Sequence, residues 1–346
     1  MKIRIAIYGG TNLGQEVQKF VKWLTERLLA IPEVAILSGG FLHYAKHPDR
    51  ASVDLCVAEA AESCLTPAEL NKRFETWLPL PALDRPGVKR FRKGQVLELK
   101  GTSQARRFKL VQEADGLVTI AGKEHTRSLL ELALALEKPA LPIPFTGGDS
   151  LTIWKRNRND LLPALRLSQE SAVQFDHQPS STAERKKLAA TAAGILYAAA
   201  ERRCLVLMPF GGSHDRFYTV HLCPAIKRAN FVPHRIDKDD YASDIPTLFH
   251  EAVDRSSAAV VDLTGMNSNI LYELGYLHAK SVAPLLLCRT DTGRTEAKVP
   301  FYLLQEKIVR AEDDAGGRRQ IAARVEQYLR SASRPTGSLR GIQGDT

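Results

Sequence analysis

Residues 3–14 read IRIAIYGGTNLG, an isoleucine-rich apolar run over 3–8 that stops at Gly9-Gly10. A short unbroken apolar run ending in a glycine turn is the pattern of a strand buried on both faces. Helical spacing follows, with Val17, Phe20, Val21, Leu24 and Leu28 on one face between about residues 13 and 29. The same alternation continues outward. Residues 34–37 predict a strand that stops at Ser38-Gly39-Gly40, 103–114 a helix, 116–120 (GLVTI) a strand, 126–136 a helix and 140–143 a strand. The rhythm breaks over 167–203, where a Ser/Gln/His/Pro-containing stretch precedes an alanine-rich helix that either bridges two domains or begins the second. It resumes with strands predicted at 204–208 (CLVLM), 231–236, 258–262 and 282–288 and helices at 217–229, 245–255, 270–280 and 318–329. Strands alternating with amphipathic helices make a parallel sheet covered on both faces.

The expected fold class is therefore α/β, with two Rossmann-like domains, each a parallel sheet flanked by helices. The domains are placed at residues 1–165 and 204–332, with a linker and bridging helix over 166–203 and a disordered tail over 333–346. A chain of 346 residues that is 44% hydrophobic and 25% charged, with 23 Gly and 18 Pro, excludes collagen-like, coiled-coil and wholly disordered classes. No apolar stretch approaches the ~20 residues of a membrane-spanning helix, so no membrane partner is expected. The N-terminus lacks the features of a signal peptide. Five scattered cysteines without CxxC or Cys/His spacing point to a reduced, cytoplasmic setting and to no metal site. The net charge of +9 favours anionic partners. It is dispersed apart from Lys89, Arg90, Arg92 and Lys93 around Phe91, which read as a solvated loop. With no zinc finger or RRM-type aromatic motif, sequence-specific nucleic-acid binding is not expected.

Ligands of open parallel sheets bind beyond the carboxyl ends of the strands. Three glycine-bearing turns are predicted there: Gly9-Gly10-Thr11-Asn12-Leu13-Gly14, Ser38-Gly39-Gly40, and Ala121-Gly122-Lys123-Glu124-His125-Thr126. Glycine lets the backbone approach a phosphate, and a following helix aims free N–H groups at the anion. Neither a Walker loop nor a full GxGxxG is present, which argues against a standard ATPase or dehydrogenase. The opening IAIYGGTNLG, the ILSGG strand end, and Arg106-Arg107-Phe108 ahead of ADGLVTIAGKEHTRSLLE resemble the SLOG superfamily, which includes the lonely-guy phosphoribohydrolases. The resemblance implies a nucleotide site in which Arg106 or Arg107 stands for the family's arginine, Gly122 and Thr126 for its PGGxGTxxE loop, and Glu131 for its carboxylate. Lys123-Glu124-His125 replaces the glycine-rich core, and Glu131 follows Thr126 by five residues rather than three. The likeness is accordingly to the SLOG branch joined to sirtuin or TIR effectors in bacterial antiviral defence, which senses a nucleotide signal. Its expected ligand-binding residues are Gly9, Gly10, Thr11, Asn12, Gly39, Gly40, Arg106, Arg107, Gly122 and Thr126.

The second half carries VDLTGMNSNILYELGYLHA at 261–279. Asp262 ends an apolar strand, and Glu273 is expected in the first turn of the next helix. Partial burial beside another acid raises one carboxyl while hydrogen bonds keep the other ionised. Such a pair suits cleavage of an N-glycosidic bond. Asn267 and Asn269 are candidates to bind ribose hydroxyls, Gly211, Gly212 and Ser213 to approach sugar or phosphate, and Phe210 and Tyr241 to stack on a base. Asp239, Asp240 and Asp244 are candidate supporting acids. The stretches VLMPFG (206–211), 237–245, VVDLTGMNSN and YELGYLHA resemble nucleoside 2-deoxyribosyltransferases and their TIR-like relatives. That resemblance puts the catalytic glutamate at Glu273, while Asn267 stands where the transferases often carry an aspartate. The combined expectation is an enzyme: a nucleotide-responsive N-glycosidase acting on NAD+ or a nucleoside or nucleotide, needing no other cofactor and working as a homo-oligomer. The alternative expectation is a non-enzymatic nucleotide-binding sensor.

Overall fold

The computed structural model describes residues 2–48, 50–80, 84, 86–236, 245–266, 268–280, 282–290 and 308–332. The chain divides into two compact units, Lys2–Glu201 and a second from Arg202 onward.

Among its described residues the first unit has eight strands, β1 (Ile3–Gly9), β2 (Val34–Ser38), β3 (Phe41–Tyr44), β4 (Phe74–Pro79), β5 (Val88–Arg90), β6 (Gln95–Leu99), β7 (Gly116–Ile120) and β8 (Ala140–Ile143). Six of them form one sheet in the order β6-β4-β2-β1-β7-β8, and all of its pairings are parallel. β3 and β5 make a separate antiparallel ribbon. The helices are α1 (Gln15–Leu29), α2 (Val53–Cys64), α3 (Pro67–Arg73), α4 (Ser103–Glu113), α5 (His125–Ala135), α6 (Gly148–Ala164), α7 (Gln169–Ala172) and α8 (Thr182–Ala200). Every residue of β2, β4, β7 and β8 is buried, as helices on both faces require. The order of strands reverses between β1 and β7, which pair in register from Ile5↔Gly116 to Gly9↔Ile120. Their close approach explains Gly9, because a Cβ there would lie 1.9 Å from the Ile120 carbonyl oxygen.

The alanine-rich segment assigned from sequence to the inter-domain connection packs within the first unit. In α8, Leu188, Ala189, Ala192, Ala193, Leu196, Ala199 and Ala200 are buried, and the helix lies against α1 and β7. Small side chains at helical spacing let two helices approach closely. The first unit thus extends to Glu201, past the boundary placed at residue 165.

The second unit has β9 (Arg203–Leu207), β10 (Val232–His234), β11 (Ala258–Asp262), β12 (Leu285–Thr290) and β13 (Ile308–Glu312), with α9 (Gly212–Phe217), α10 (Cys223–Arg228), α11 (Ile245–Asp254), α12 (Ser268–Ala279) and α13 (Ala315–Ala332). Its parallel sheet runs β10-β9-β11-β12-β13, reversing between β9 and β11. The period of two along each strand sorts the core into two layers. Cys204, Val206, Ala258, Val260, Leu285 and Leu287 join Ala225 and Ile226 of α10 and Ile321, Val325 and Leu329 of α13. Leu205, Leu207, Ala259, Val261 and Leu286 join Phe249 and Val253 of α11 and Ile270, Leu274 and Leu277 of α12.

The helix expected over 217–229 is interrupted by a π-helical turn at Tyr218–Leu222. Pro224, in the first turn of α10, has no N–H to donate to the preceding turn, so the helical register widens there. Among the described residues, no helix is long and apolar enough to cross a membrane, and no group of three or more His, Cys, Asp or Glu is placed to hold a metal ion. The expected disordered tail lies outside the described residues.

Candidate functional site

A cavity of about 570 Å³ opens at the switch point of the first unit. Gly9, Gly10, Thr11 and Asn12 reach it from the end of β1, and Ala121, Gly122, Lys123, His125 and Thr126 from the end of β7. Arg106 and Arg107 enter from α4, Ser52, Asp54 and Arg50 from the start of α2 and the segment before it, and Phe41, Tyr44, Val88 and Arg90 from the β3–β5 ribbon. The structure therefore brings two of the three glycine turns and the arginine pair to one place. Gly39 and Gly40 lie behind the wall. The Gly39 carbonyl accepts from Arg106 Nη1 and Arg90 Nη1, each at 3.2 Å, so this turn holds arginines rather than ligand.

The loop after β7 is conformationally unusual. Gly122 sits at φ +90, and a Cβ there would meet Thr126 Oγ1 at 2.0 Å. Ala121 (φ 51) and Glu124 (φ 29) also occupy left-handed backbone, which non-glycine residues seldom adopt unless their surroundings impose it. Here α6 imposes it: the Asp149 and Ser150 amides donate to the Gly122 and Ala121 carbonyls at 3.0 and 3.1 Å. With those carbonyls engaged by α6, the Gly122 and Thr11 amides donate to no protein acceptor among the described residues. Backbone N–H groups clustered at a left-handed turn form a concavity suited to an anion.

The side chains reinforce that preference. Among the described residues, Arg50, Arg106, Arg107 and Lys123 are set against a single wall carboxylate, Asp54, while Arg90 of the wall is paired with Asp84. Asp54 is held by three donors: it accepts from Ser38 Oγ at 2.8 Å and from the Gly39 and Phe41 amides at 2.9 and 3.0 Å. Arg106, 3% exposed, donates to the Gly39 and Trp77 carbonyls. Burial, and next the charge of Arg90, pull its guanidinium down to about 10. It remains a cation at neutral pH, held at an electrostatic cost that a bound anion offsets. Arg107 donates to Gln104 at 3.0 Å, and the buried Nε atoms of both arginines have no hydrogen-bond partner among the described residues. Burial also pushes the Tyr8 phenol up. Glu131 is exposed on α5 and takes no part in the wall.

Asp54, Arg50, Arg90, Phe41 and Tyr44 escaped the sequence reading. Arg90 belongs to the basic run read as solvated, and for its neighbours that holds: Arg92 pairs with Glu98 and Lys93 with Glu62. Residues 88–90 form a strand in which Val88 and Arg90 face the cavity while Lys89 is exposed. That period of two was the available signal.

In the second unit, Gly211 and Gly212 follow β9, and Asp262 ends β11, so they flank the switch point of that sheet. Asp262 is wholly buried. It accepts from Arg289 Nη2 at 2.9 Å, from the Thr264 amide at 3.0 Å and from the Thr264 hydroxyl. Arg289 also binds Asp313 Oδ1 at 3.1 Å and His214 Nδ1 at 2.8 Å, and lies 4.2 Å from the Phe217 ring centroid. Asp262 thus anchors a buried charge network. Glu273 is the sixth residue of α12, one turn further in than expected. It is half-buried and has no hydrogen bond or ion pair among the described residues. Burial pushes its carboxyl up to about 7, without contribution from a neighbouring acid. Asn269 is exposed at the start of α12. Asn267, Tyr241, Asp239, Asp240 and Asp244 lie outside the described residues. Phe210 is exposed, with the buried guanidinium of Arg235 5.4 Å from its ring and 4.7 Å from that of Tyr218. Arg289, His214 and Arg235 were not singled out from sequence.

No family model matches the chain, and no curated protein sequence does. Among solved structures, TM1055, a structural-genomics target, is 22% identical with a TM-score of 0.33, over 45% of this chain and 81% of its own. The molybdenum cofactor binding protein of the phototrophic bacterium Rippkaea orientalis is 20% identical with a TM-score of 0.31, over 40% of this chain and 75% of its own. DNA processing protein A of Helicobacter pylori, described for its single-stranded DNA binding, is 16% identical with a TM-score of 0.31, over 46% and 73%.

Proposed function

We propose that the first unit is a receptor for a phosphate-bearing ligand of the nucleotide class. The observation that carries this reading is the switch-point cavity, where left-handed backbone, Arg50, Arg106, Arg107 and Lys123 surround one carboxylate already bonded by three donors, and a fifth cation, Arg90, is paired with Asp84. With Asp54 occupied and Glu131 outside the wall, the cavity favours binding over hydrolysis of its ligand. Calorimetric titration of the full chain with ribose 5-phosphate and nucleoside monophosphates tests the reading. Arg107→Gln is expected to weaken binding about tenfold or more, since charge-assisted bonds to phosphate are among the stronger ones. Absence of millimolar binding by every phosphorylated probe would end it.

A second reading assigns chemistry to the other unit. A half-buried, unpartnered carboxyl titrating near neutrality suits a group that supports C1′ or protonates a departing base, and Glu273 is one. Asp262 then positions Arg289 and the strand end rather than reacting. The expected substrates are NAD+ or a nucleoside or nucleotide, with no further cofactor, and the two readings together describe a nucleotide-responsive N-glycosidase. Incubating the full chain with NAD+ and nucleosides, with and without first-unit ligands, should release free base, and Glu273→Gln should abolish that release. No base from the unmodified chain under any of these conditions leaves the non-enzymatic sensor.

A further inference from the structure

The β3–β5 ribbon stands apart from the main sheet, and a two-stranded ribbon has little stability of its own. Its tethers include Leu42, whose carbonyl accepts from Ser52 Oγ at 3.3 Å, and Phe41. The Phe41 carbonyl accepts from Ser52 Oγ at 2.8 Å, and the Phe41 amide donates to Asp54 Oδ2 at 3.0 Å. This anchoring fixes two aromatic rings in the cavity wall. The rings of Phe41 and Tyr44 meet at 67° with centroids 5.0 Å apart, an edge-to-face arrangement. Tyr44 is nevertheless 41% exposed while lining the cavity. An aromatic ring supported by a second ring, yet left open toward a cavity, is a stacking platform. The cavity's size points the same way. At about 570 Å³ it falls within the range for organic ligands and far exceeds the volume of a phosphate.

Resting on the reading of this cavity as a phosphate site, we infer that its ligand carries a nucleobase stacked on Tyr44, so that the ribbon selects nucleotides over sugar phosphates. The glycine loops and arginines hold the phosphate, which ribose 5-phosphate also offers. The ribbon supplies a π-face, which only the nucleotide can use. Base–aromatic stacking tolerates any base, because each has a π-face. The platform therefore sets the ligand class without setting the base.

The test is titration of the full chain, and of its Tyr44→Ala and Tyr44→Phe variants, with AMP, GMP, CMP, UMP and ribose 5-phosphate. At least one nucleotide should bind about tenfold or more tightly than ribose 5-phosphate. Tyr44→Ala should remove that preference while leaving ribose 5-phosphate affinity unchanged, and Tyr44→Phe should keep it. The inference is overturned if nucleotides bind no better than ribose 5-phosphate, or if Tyr44→Ala leaves the preference intact. It is equally overturned if Tyr44→Ala weakens all probes alike. Ribose 5-phosphate binding that Arg107→Gln weakens would leave the phosphate reading standing in those cases. Failure of every probe to bind removes both.

Discussion

Asp262, at the end of β11, and Glu273, in α12, meet opposite surroundings. Asp262 is paired with Arg289 and both side chains are buried, so neither partner can be removed alone without cost. Arg289→Met would strand a buried carboxylate and is expected to destabilise the second unit by about 3–5 kcal/mol. The change is readable as faster hydrogen exchange in β11 and β12. Glu273 has the opposite linkage. Its folded-state pKa of about 7 lies above the ordinary 4.5, so the folded chain binds this proton more readily than the unfolded one. The destabilisation is absent below the lower value, grows as pH rises between the two, and is complete above the higher. Glu273→Gln should therefore raise the urea midpoint at pH 8 and leave it unchanged at pH 4. The sequence singles out positions 262 and 273, but not the buried guanidinium that pairs with Asp262. Arg289 sits 27 residues from Asp262, joined to it only by strand pairing.

At the level of strands and helices, legibility followed the apolar pattern. Residues 204–207 alternate between two core layers as their period implies on a sheet covered twice, and β1, β2, β7, β8 and β11 stand out as apolar runs. β4 does not, because Phe74–Pro79 carries Glu75 and Pro79 and follows α3 without a glycine turn. Glu75 is tolerated inside the sheet because Arg4 of β1 and Trp77 Nε1 satisfy it. Arg4 supplies its part of that compensation from a strand 71 residues away in the chain, and Trp77 from β4 itself. Edge strands β6 and β13 lack a continuous apolar run for a different reason, being only half-covered. The ribbon's tether offers a test at this scale. Ser52 caps α2 by accepting from the Leu55 amide at 3.0 Å and holds β3 through Phe41. Ser52→Ala should cost about 1–2 kcal/mol in urea unfolding, with the loss concentrated in the first unit.

Across the whole molecule, the division at residue 201 leaves each unit with an apolar core of its own. A fragment ending at Glu201 should unfold cooperatively and keep the nucleotide affinity of the full chain. A fragment ending at 165, the boundary suggested by sequence, should not fold, because it lacks α8 and exposes the face of α1 that α8 covers. Alanine-rich helices look alike from sequence whether they bridge or pack, which is why this one was misplaced in the organisation of the chain. The arrangement of the first sheet also has a consequence for biosynthesis. β1 is translated first, yet one of its two edges is completed only by β7, with Ile5 waiting for Gly116. At typical elongation rates of ~5–20 residues per second that is a delay of roughly 6–22 s. For that interval the emerging polypeptide presents an isoleucine-rich strand edge to the ribosome's surroundings, an invitation to chaperones and, failing them, to neighbouring nascent chains.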